Sequence, residues 1–251
     1  MAIVGTIEAP ITLITFNIRL GIQEGLESIA ANLKKCPAPD ILALQEVGDY
    51  WKMGPPGDST GEIANLLKLP HYFHVPALLE KAPPGKGKTG HYYYGHSLLS
   101  RWPFEERTIL TLPQKTDEPR ALLRSVLRLP SGSVEILSTH LSYKEEDRRL
   151  QGKFLCTWLR NNPPAPDTPR FIMGDLNADL DADREDRWLA ELLSEFIDSD
   201  NEEKRKTYPS EAPRLRLDYI LGQGATHIET KVGSDSGPSD HYLLISRWEV
   251  I

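Results

Sequence analysis

The chain has 251 residues, of which 39% are hydrophobic and 26% are charged, and its formal net charge at pH 7 is −7. A chain of this length can bury a sizeable core, and we expect one domain that spans residues 1–251. The acidic balance excludes a protein that coats nucleic acid by bulk electrostatic attraction, because that mode needs an excess of Lys and Arg, but it does not exclude a hydrolase.

Eight short runs have the composition of β-strands, and several are apolar at nearly every position, as expected for strands covered on both faces. These runs lie at 11–16, 41–44, 97–100, 121–129, 133–139, 170–173, 217–221 and 242–248. Helical periodicity is found at about 24–35, 60–68, 145–161 and 183–196. Asp183 and Asp186 stand near the start of the last helix, where the positive end of a helix favours anions.

The order of these elements mixes hairpin-like strand pairs with strand–helix–strand units, which predicts mixed sheets rather than one doubly wound parallel sheet. Two sheets packed face to face, with helices outside, would bury so many apolar strands. Pro and Gly concentrate at 54–61, 82–90, 163–169 and 208–213 and mark loops rather than domain linkers. We predict that about 70–96 is irregular, and a loop of this length is usually functional or mobile.

Six short polar signatures stand at the ends of predicted strands and supply carboxylates, amides and imidazoles. In chain order they are Phe16-Asn17-Ile18, Gln45-Glu46, Thr139-His140-Leu141, Gly174-Asp175-Leu176-Asn177, Leu217-Asp218-Tyr219 and Ser239-Asp240-His241. Metal-assisted cleavage of a phosphate ester needs these groups, because Mg²⁺ prefers oxygen ligands and His suits proton transfer near neutral pH.

Each signature also has a structural interpretation. Asp175 and Asn177 would share one face of a strand, although Gly, Asp and Asn are equally common in turns. Glu46, Asn17 and the Asp240-His241 pair could be ordinary loop or capping residues. Asp218 lies within an apolar strand, where a charge is costly without a partner. An imidazole is the natural partner, and Arg214 or Arg216 is the alternative.

As an ordered set, the signatures resemble those of the endonuclease/exonuclease/phosphatase superfamily, which includes exonuclease III, pancreatic deoxyribonuclease, neutral sphingomyelinases and inositol polyphosphate 5-phosphatases. The resemblance spans residues 12 to 247, and the segment from Tyr94 to Arg101 contributes to it. It implies an α/β fold: a four-layer α/β/β/α sandwich of two packed mixed β-sheets flanked by helices. It also implies a metal-dependent phosphoric ester hydrolase that uses Mg²⁺, with Mn²⁺ as a substitute.

The resemblance also implies roles for individual residues. The metal region would comprise Asn17, Glu46 and Asp240; the catalytic groups would be His140, Asp175, Asn177, Asp218 and His241; substrate contacts would come from Arg19, Tyr94 and Arg148. Either Asp175 or His241 would be the base. Arg19 replaces the acidic residue that exonuclease III-like enzymes carry two positions after the motif Asn, which counts against the abasic-site repair branch. Arg19 could also be a plain surface residue, and Arg148 could belong to a solvated helix face or hold the His140 loop.

We therefore expect a phosphodiesterase that acts on nucleic acid or a nucleotide, since basic residues occur in two candidate rim segments, 81–101 and 204–216. One alternative is a lipid or small-molecule phosphoesterase with an aromatic surface formed by Tyr92, Tyr93 and Tyr94 together with Tyr72 and Phe73, although tyrosines also stack on bases. Another is a non-catalytic binding protein on the same fold. No protein partner is indicated.

No apolar run approaches the roughly 20 residues of a membrane span, and residues 1–10 lack the features of a secretory signal. Cys36 and Cys156 are too few for a disulfide scaffold and are expected to be reduced. These features predict a cytoplasmic location.

Overall fold

Two six-stranded β-sheets form the centre of the protein in a computed structural model, which describes residues 10–182, 187–201, 203–233 and 237–250. In chain order the strands of these residues are β1 (Ile11–Asn17), β2 (Ile41–Asp49), β3 (His71–Lys81), β4 (His91–Ser100), β5 (Phe104–Thr111), β6 (Ala121–Leu129), β7 (Gly132–His140), β8 (Arg170–Asp175), β9 (Ile197–Asp198), β10 (Asp218–Gln223), β11 (Thr226–Val232) and β12 (Leu244–Glu249). The helices are α1 (Leu26–Lys34), α2 (Ser59–Leu67), α3 (Glu145–Asn161) and α4 (Arg187–Glu195), and a 3-10 turn covers Arg19–Gly21.

Both sheets are mixed. The first has the order β11-β12-β1-β2-β4-β3 and the second the order β5-β6-β7-β8-β10-β9. In each sheet one central pair is parallel, β1 with β2 and β7 with β8, and the other neighbours are antiparallel. Because the strands of a parallel pair end on the same side, each sheet brings two carboxyl ends together at one edge of the molecule.

The alternation of side chains along each strand explains why the strands are apolar on both faces. On β1, Leu13 packs into the core between the sheets, whereas Ile14 packs with residues of α1 and α2 on the outside. On β8, Phe171 joins the core between the sheets and Ile172 packs with residues of α3 and α4. The four layers are therefore helix, sheet, sheet and helix, which confirms the predicted α/β/β/α sandwich.

The prediction of an irregular segment at 70–96 is wrong. Strands β3 and β4 pair from His71 opposite Ser100 to Lys81 opposite His91, with one irregularity between Pro76 and Leu78. Pro76 lacks an amide donor, but β3 is an edge strand, where such a residue is tolerated. The edge strands β5 and β11 were also not predicted, because their side chains are largely exposed and polar. Asp183 and Asp186 lie outside the described residues.

Among the described residues, no helix combines the length and the apolar character that a membrane span requires.

Contact between α3 and α4 depends on the absence of a side chain at Gly152. A Cβ atom there would lie 2.0 Å from Cδ2 of Trp188, whose side chain is buried. We expect Gly152→Ala to lower the free energy of unfolding by about 1–3 kcal/mol, because overpacking outweighs the better helix propensity of Ala. Urea denaturation of this variant beside Gly132→Ala, where an added Cβ meets no atom within 4 Å, measures the difference. Equal unfolding free energies for the two variants would contradict this prediction.

Candidate functional site

A cleft of about 440 Å³ lies at the edge where the parallel strands of both sheets end. Seven of the predicted site residues line it: Glu46, His140, Arg148, Asp175, Asn177, Asp240 and His241. Two more, Asn17 and Asp218, are fully buried and hydrogen-bonded to these residues. Arg19 stands beside the cleft, with Nε 3.5 Å from an oxygen of Asp240.

Tyr94 is the exception among the predicted residues. It does not line the cleft but lies in a small apolar cluster with Leu20 and Trp51, and its ring centroid is 5.4 Å from that of Trp51. Only 8% of Tyr94 is exposed.

Unusual backbone conformations place two of these groups. Glu46 has a φ of +51° and lies where the register between β2 and β4 shifts, so it is the extra residue of a β-bulge. Asn177 also has a φ of +51°, and its amide N donates to Oδ1 of Asp175 at 2.8 Å. The expectation that Asp175 and Asn177 share a strand face is therefore not met, since β8 ends at Asp175 and a turn positions Asn177. Such left-handed residues recur at functional sites.

The glycine that precedes Asp175 cannot be replaced without a clash. Gly174 has a φ of +150°, and a Cβ atom on it would lie 2.0 Å from the carbonyl oxygen of Thr139 on the neighbouring strand β7. This close approach places His140 opposite Asp175 at the ends of the two strands.

A hydrogen bond joins the two sheets within the site. The side-chain nitrogen of Asn17, on the first sheet, donates to Oδ2 of Asp175, on the second sheet, at 3.1 Å. The same nitrogen lies 3.1 Å from Oε1 of Glu46, and Oδ1 of Asn17 accepts the Arg19 amide at 3.0 Å. Asn17 thus holds two carboxylates at the cleft through its nitrogen.

The partner of Asp218 is an imidazole. Oδ2 of Asp218 lies 2.9 Å from Nδ1 of His241. The alternative partner Arg216 instead pairs with Asp198, with Nη1 2.8 Å from Oδ2. Nε2 of His241 lies 3.7 Å from Oδ2 of Asp175, so the ring stands between the two buried carboxylates.

The two imidazoles of the cleft have opposite electrostatic surroundings. Burial alone would lower the pKa of His241, but the charges of Asp218 and Asp175 outweigh it and raise that pKa to about 10. Burial and the neighbouring Arg120 guanidinium hold the pKa of His140 well below its usual value of 6.5. Burial and the charge of Asp218 raise the pKa of Asp175. At neutral pH, His241 is therefore cationic and His140 is neutral.

The oxygen donors of the cleft fit a hard divalent cation. Glu46, Asp175 and Asp240 all line it, and Mg²⁺ is commonly held by one or two carboxylates together with water and substrate phosphate. Asp175, Asp218 and His241 also place ligand atoms within 4.8 Å of one another. The Asp218–His241 hydrogen bond occupies one atom of each, however, so the side of the cleft with Glu46 and Asp240 is the better cation site.

Three residues of the site were not found from the sequence. Arg120 and Tyr143 line the cleft, and Tyr208 lies over His241 with ring centroids 4.8 Å apart. Arg120 had one usable signal, because a charge directly before the apolar strand β6 requires a partner. Nothing in the sequence distinguished the two tyrosines from others in loops.

Comparisons with known proteins show the family and the fold of the chain. Residues 14–241 match the model of the Endonuclease/Exonuclease/phosphatase family. An endonuclease/exonuclease/phosphatase from Beutenbergia cavernae has a similar structure, with a TM-score of 0.78 at 22% identity over 97% of this chain and 72% of that one. The mannosyl-6-phosphatase Bt3783 of Bacteroides thetaiotaomicron gives 0.70 at 15% identity, covering 95% and 99%. Sphingomyelinase C from Streptomyces griseocarneus gives 0.65 at 17%, covering 96% and 99%.

A search of curated proteins found no significant match to the sequence. The family match, however, extends over most of the chain and includes every signature from Asn17 to His241. Members of this family depend on divalent metals and hydrolyse phosphate esters. The chain therefore belongs to the endonuclease/exonuclease/phosphatase family and is a metal-dependent phosphoric ester hydrolase.

Proposed function

We propose that the protein is a Mg²⁺-dependent phosphodiesterase that cleaves a phosphate ester of nucleic acid or a nucleotide by in-line attack of water. One observation carries the proposal: a single carboxylate oxygen, Oδ2 of Asp175, lies 3.6 Å from Nε2 of His140, 3.7 Å from Nε2 of His241 and 3.1 Å from the side-chain nitrogen of Asn17. The carboxylate of Asp175 is thus surrounded by the His241 imidazolium and by two further hydrogen-bonding groups. These are the imidazole of His140 and the amide of Asn17.

The chain supplies a role for each of these groups. Glu46 and Asp240 would hold the cation, with Asn17 positioning Glu46, and the bound ion would supply positive charge to the phosphoryl oxygens. Asp175 would take the proton of the attacking water, because its raised pKa makes it a better base than an ordinary Asp. His241 is already cationic, so it would stabilise the developing negative charge rather than accept the proton. Asn177 and His140 would contact the phosphate from the other side.

The rim of the cleft supports nucleic acid or a nucleotide as substrate. Tyr143 is 64% exposed and Tyr208 lies over His241, so aromatic faces are available on which bases can stack. Arg148 lines the cleft and donates to the carbonyl of Tyr143 at 3.1 Å, so its guanidinium is held beside Tyr143 at the rim. Arg19, beside Asp240, would contact a second phosphate oxygen.

A lipid phosphoesterase is the second candidate, and one observation favours it. Met53 and Leu79 are 53% and 51% exposed. Met53 stands two residues after Trp51 of the apolar cluster, and Leu79 directly follows Leu78, which packs against that cluster. Exposed apolar side chains of this kind would suit a lipid surface better than a polar nucleotide.

A substrate screen tests the proposal. We expect purified protein with Mg²⁺ or Mn²⁺ to hydrolyse single-stranded DNA, RNA or nucleotides, and we expect EDTA to stop the reaction. Phospholipid vesicles and sugar phosphates in the same panel cover the alternatives. Turnover confined to the vesicles would favour the second candidate, whereas turnover confined to sugar phosphates, or no turnover with any phosphate ester, would overturn both.

A further inference from the structure

A buried guanidinium, that of Arg120, lines the cleft and contacts the imidazole of His140. Arg120 precedes β6 and is only 5% exposed. Its Nη1 lies 2.7 Å from Nδ1 of His140, well within hydrogen-bond distance. We infer that Arg120 is a positioning residue that fixes the neutral tautomer of His140 with its proton on Nε2; the catalytic consequence of this inference rests on the proposed function.

The chemistry of the pair admits only one arrangement. An arginine side chain donates hydrogen bonds, accepts none and does not lose its proton in proteins. Nδ1 of His140 must therefore accept, and in a neutral imidazole the hydrogen is then on Nε2. An imidazolium, or the other tautomer, would place an N–H against the N–H of Arg120.

Asn177 is the competing donor to the same ring. Its side-chain nitrogen lies 3.1 Å from Nε2 of His140, but it also donates to the carbonyl of Leu141 at 2.9 Å. A hydrogen bond from a charged guanidinium is shorter and stronger than one from a neutral amide. The contact with Arg120 at 2.7 Å therefore decides the tautomer, and Nε2 is left as a donor. The amide of Asn177 then donates to the carbonyl of Leu141 and not to the ring.

The protonation of the two imidazoles of the cleft is consequently determined by partners of opposite charge. Asp218 accepts from Nδ1 of His241, whereas Arg120 donates to Nδ1 of His140. Nε2 of His140 is directed towards the region of Asp175, whose Oδ2 lies 3.6 Å away. His140 thus presents one fixed N–H to this part of the cleft, where it can donate to an anionic oxygen without giving up its proton.

The position of Arg120 is itself held by the preceding loop. Nη2 lies 2.9 Å from an oxygen of Glu118, which balances the buried charge. The loop is anchored to α3 by the buried Asp147, whose Oδ2 accepts the amides of Thr116 at 3.0 Å and Asp117 at 2.9 Å. The guanidinium therefore approaches His140 from a fixed direction.

Long-range ¹H–¹⁵N NMR of protein labelled on the histidine rings tests the inference, with the His140 signals assigned by their loss in His140→Gln. At pH 7 we expect Nδ1 of His140 to have the shift of an unprotonated nitrogen and Nε2 that of a protonated one. Arg120→Lys should keep this pattern, because it retains a cationic donor, whereas Arg120→Met should give averaged shifts of two tautomers. Arg128→Met, on the strand β6 that Arg120 directly precedes and with an exposed side chain, is the matched control.

The result that would overturn the inference is a proton on Nδ1 in the wild type, or unchanged His140 shifts in Arg120→Met. If Arg120→Met fails to fold, the wild-type and Arg120→Lys spectra decide. For an active substrate we expect kcat of Arg120→Met to fall at least about tenfold with a smaller change in KM, and Arg120→Lys to recover part of it. The spectra need no substrate, so a protein without turnover would overturn the proposed function and leave the tautomer assignment standing.

Discussion

Glu46→Gln is expected to reduce kcat/KM at saturating Mg²⁺ by at least about 10³-fold, because the cation supplies several kcal/mol of charge stabilisation in such reactions. Gln keeps the size of the side chain and an oxygen that can accept from Asn17, so the fold and the β-bulge should be preserved. The substitution removes only the negative charge that we propose attracts the cation. Steady-state kinetics and Mg²⁺ binding by calorimetry should therefore change together.

The matched control for this variant is Glu27→Gln, which makes the same chemical change on the exposed face of α1. We expect wild-type turnover and wild-type Mg²⁺ affinity from it. If Glu46→Gln retained both properties as well, Glu46 would not be a metal ligand, and the cation would have to be placed elsewhere in the cleft.

Asp218→Asn should lower kcat by about 10²–10⁴-fold, the range seen when a carboxylate that orients and charges a catalytic imidazole becomes an amide. Asp218 is fully buried, and among the described residues the only hydrogen-bond partner of its carboxylate is His241, so the effect should pass through that ring. With Asp218 neutral, the pKa of His241 falls, so a smaller fraction of the ring is imidazolium at neutral pH. The control is Asp167→Asn, which removes the same charge at an exposed loop residue. Steady-state kinetics of the two variants separate the loss of the His241 partner from a general change of charge.

The same variant has an expected pH dependence of stability in metal-free protein. The pKa of His241 is raised from 6.5 to about 10 in the folded state, so its interaction with the carboxylates stabilises the fold fully below about pH 6.5. That contribution decreases as pH rises towards 10. The difference in unfolding free energy between wild type and Asp218→Asn, measured with EDTA by urea denaturation, should therefore be larger at pH 6 than at pH 10. A pH-independent difference would contradict this assignment.

The sequence predicted those parts of the fold that depend on local pattern. The apolar run at 170–173 predicts a strand buried on both faces, and it becomes the core of β8. The hairpin of β3 and β4 could not be predicted in this way, because the edge strand β3 is stabilised by backbone hydrogen bonds to β4, and the local sequence pattern does not show that pairing. Pro76 and the many polar side chains of β3 made the segment resemble a loop.

For the site, the polar signatures indicated which residues to consider but not how they are paired. Two partners for Asp218 were chemically acceptable, and only the three-dimensional arrangement distinguishes His241 from Arg216. Arg120 was missed for a related reason. Its contact with His140 joins residues 20 positions apart, one directly before β6 and the other at the end of the adjacent antiparallel strand β7, and it depends on strand register rather than on a local motif.

The Asn17–Asp175 contact between the sheets has a mechanical implication. Each sheet carries part of the cleft, so a small lateral slip of one sheet over the other would separate the groups that must act together. The aromatic pair Phe171 and Trp248, whose ring centroids are 5.2 Å apart in the interior, opposes such slip. We therefore expect turnover to depend on the alignment of the two sheets, and hence on interior residues such as Phe171 and Trp248 as well as on those of the cleft.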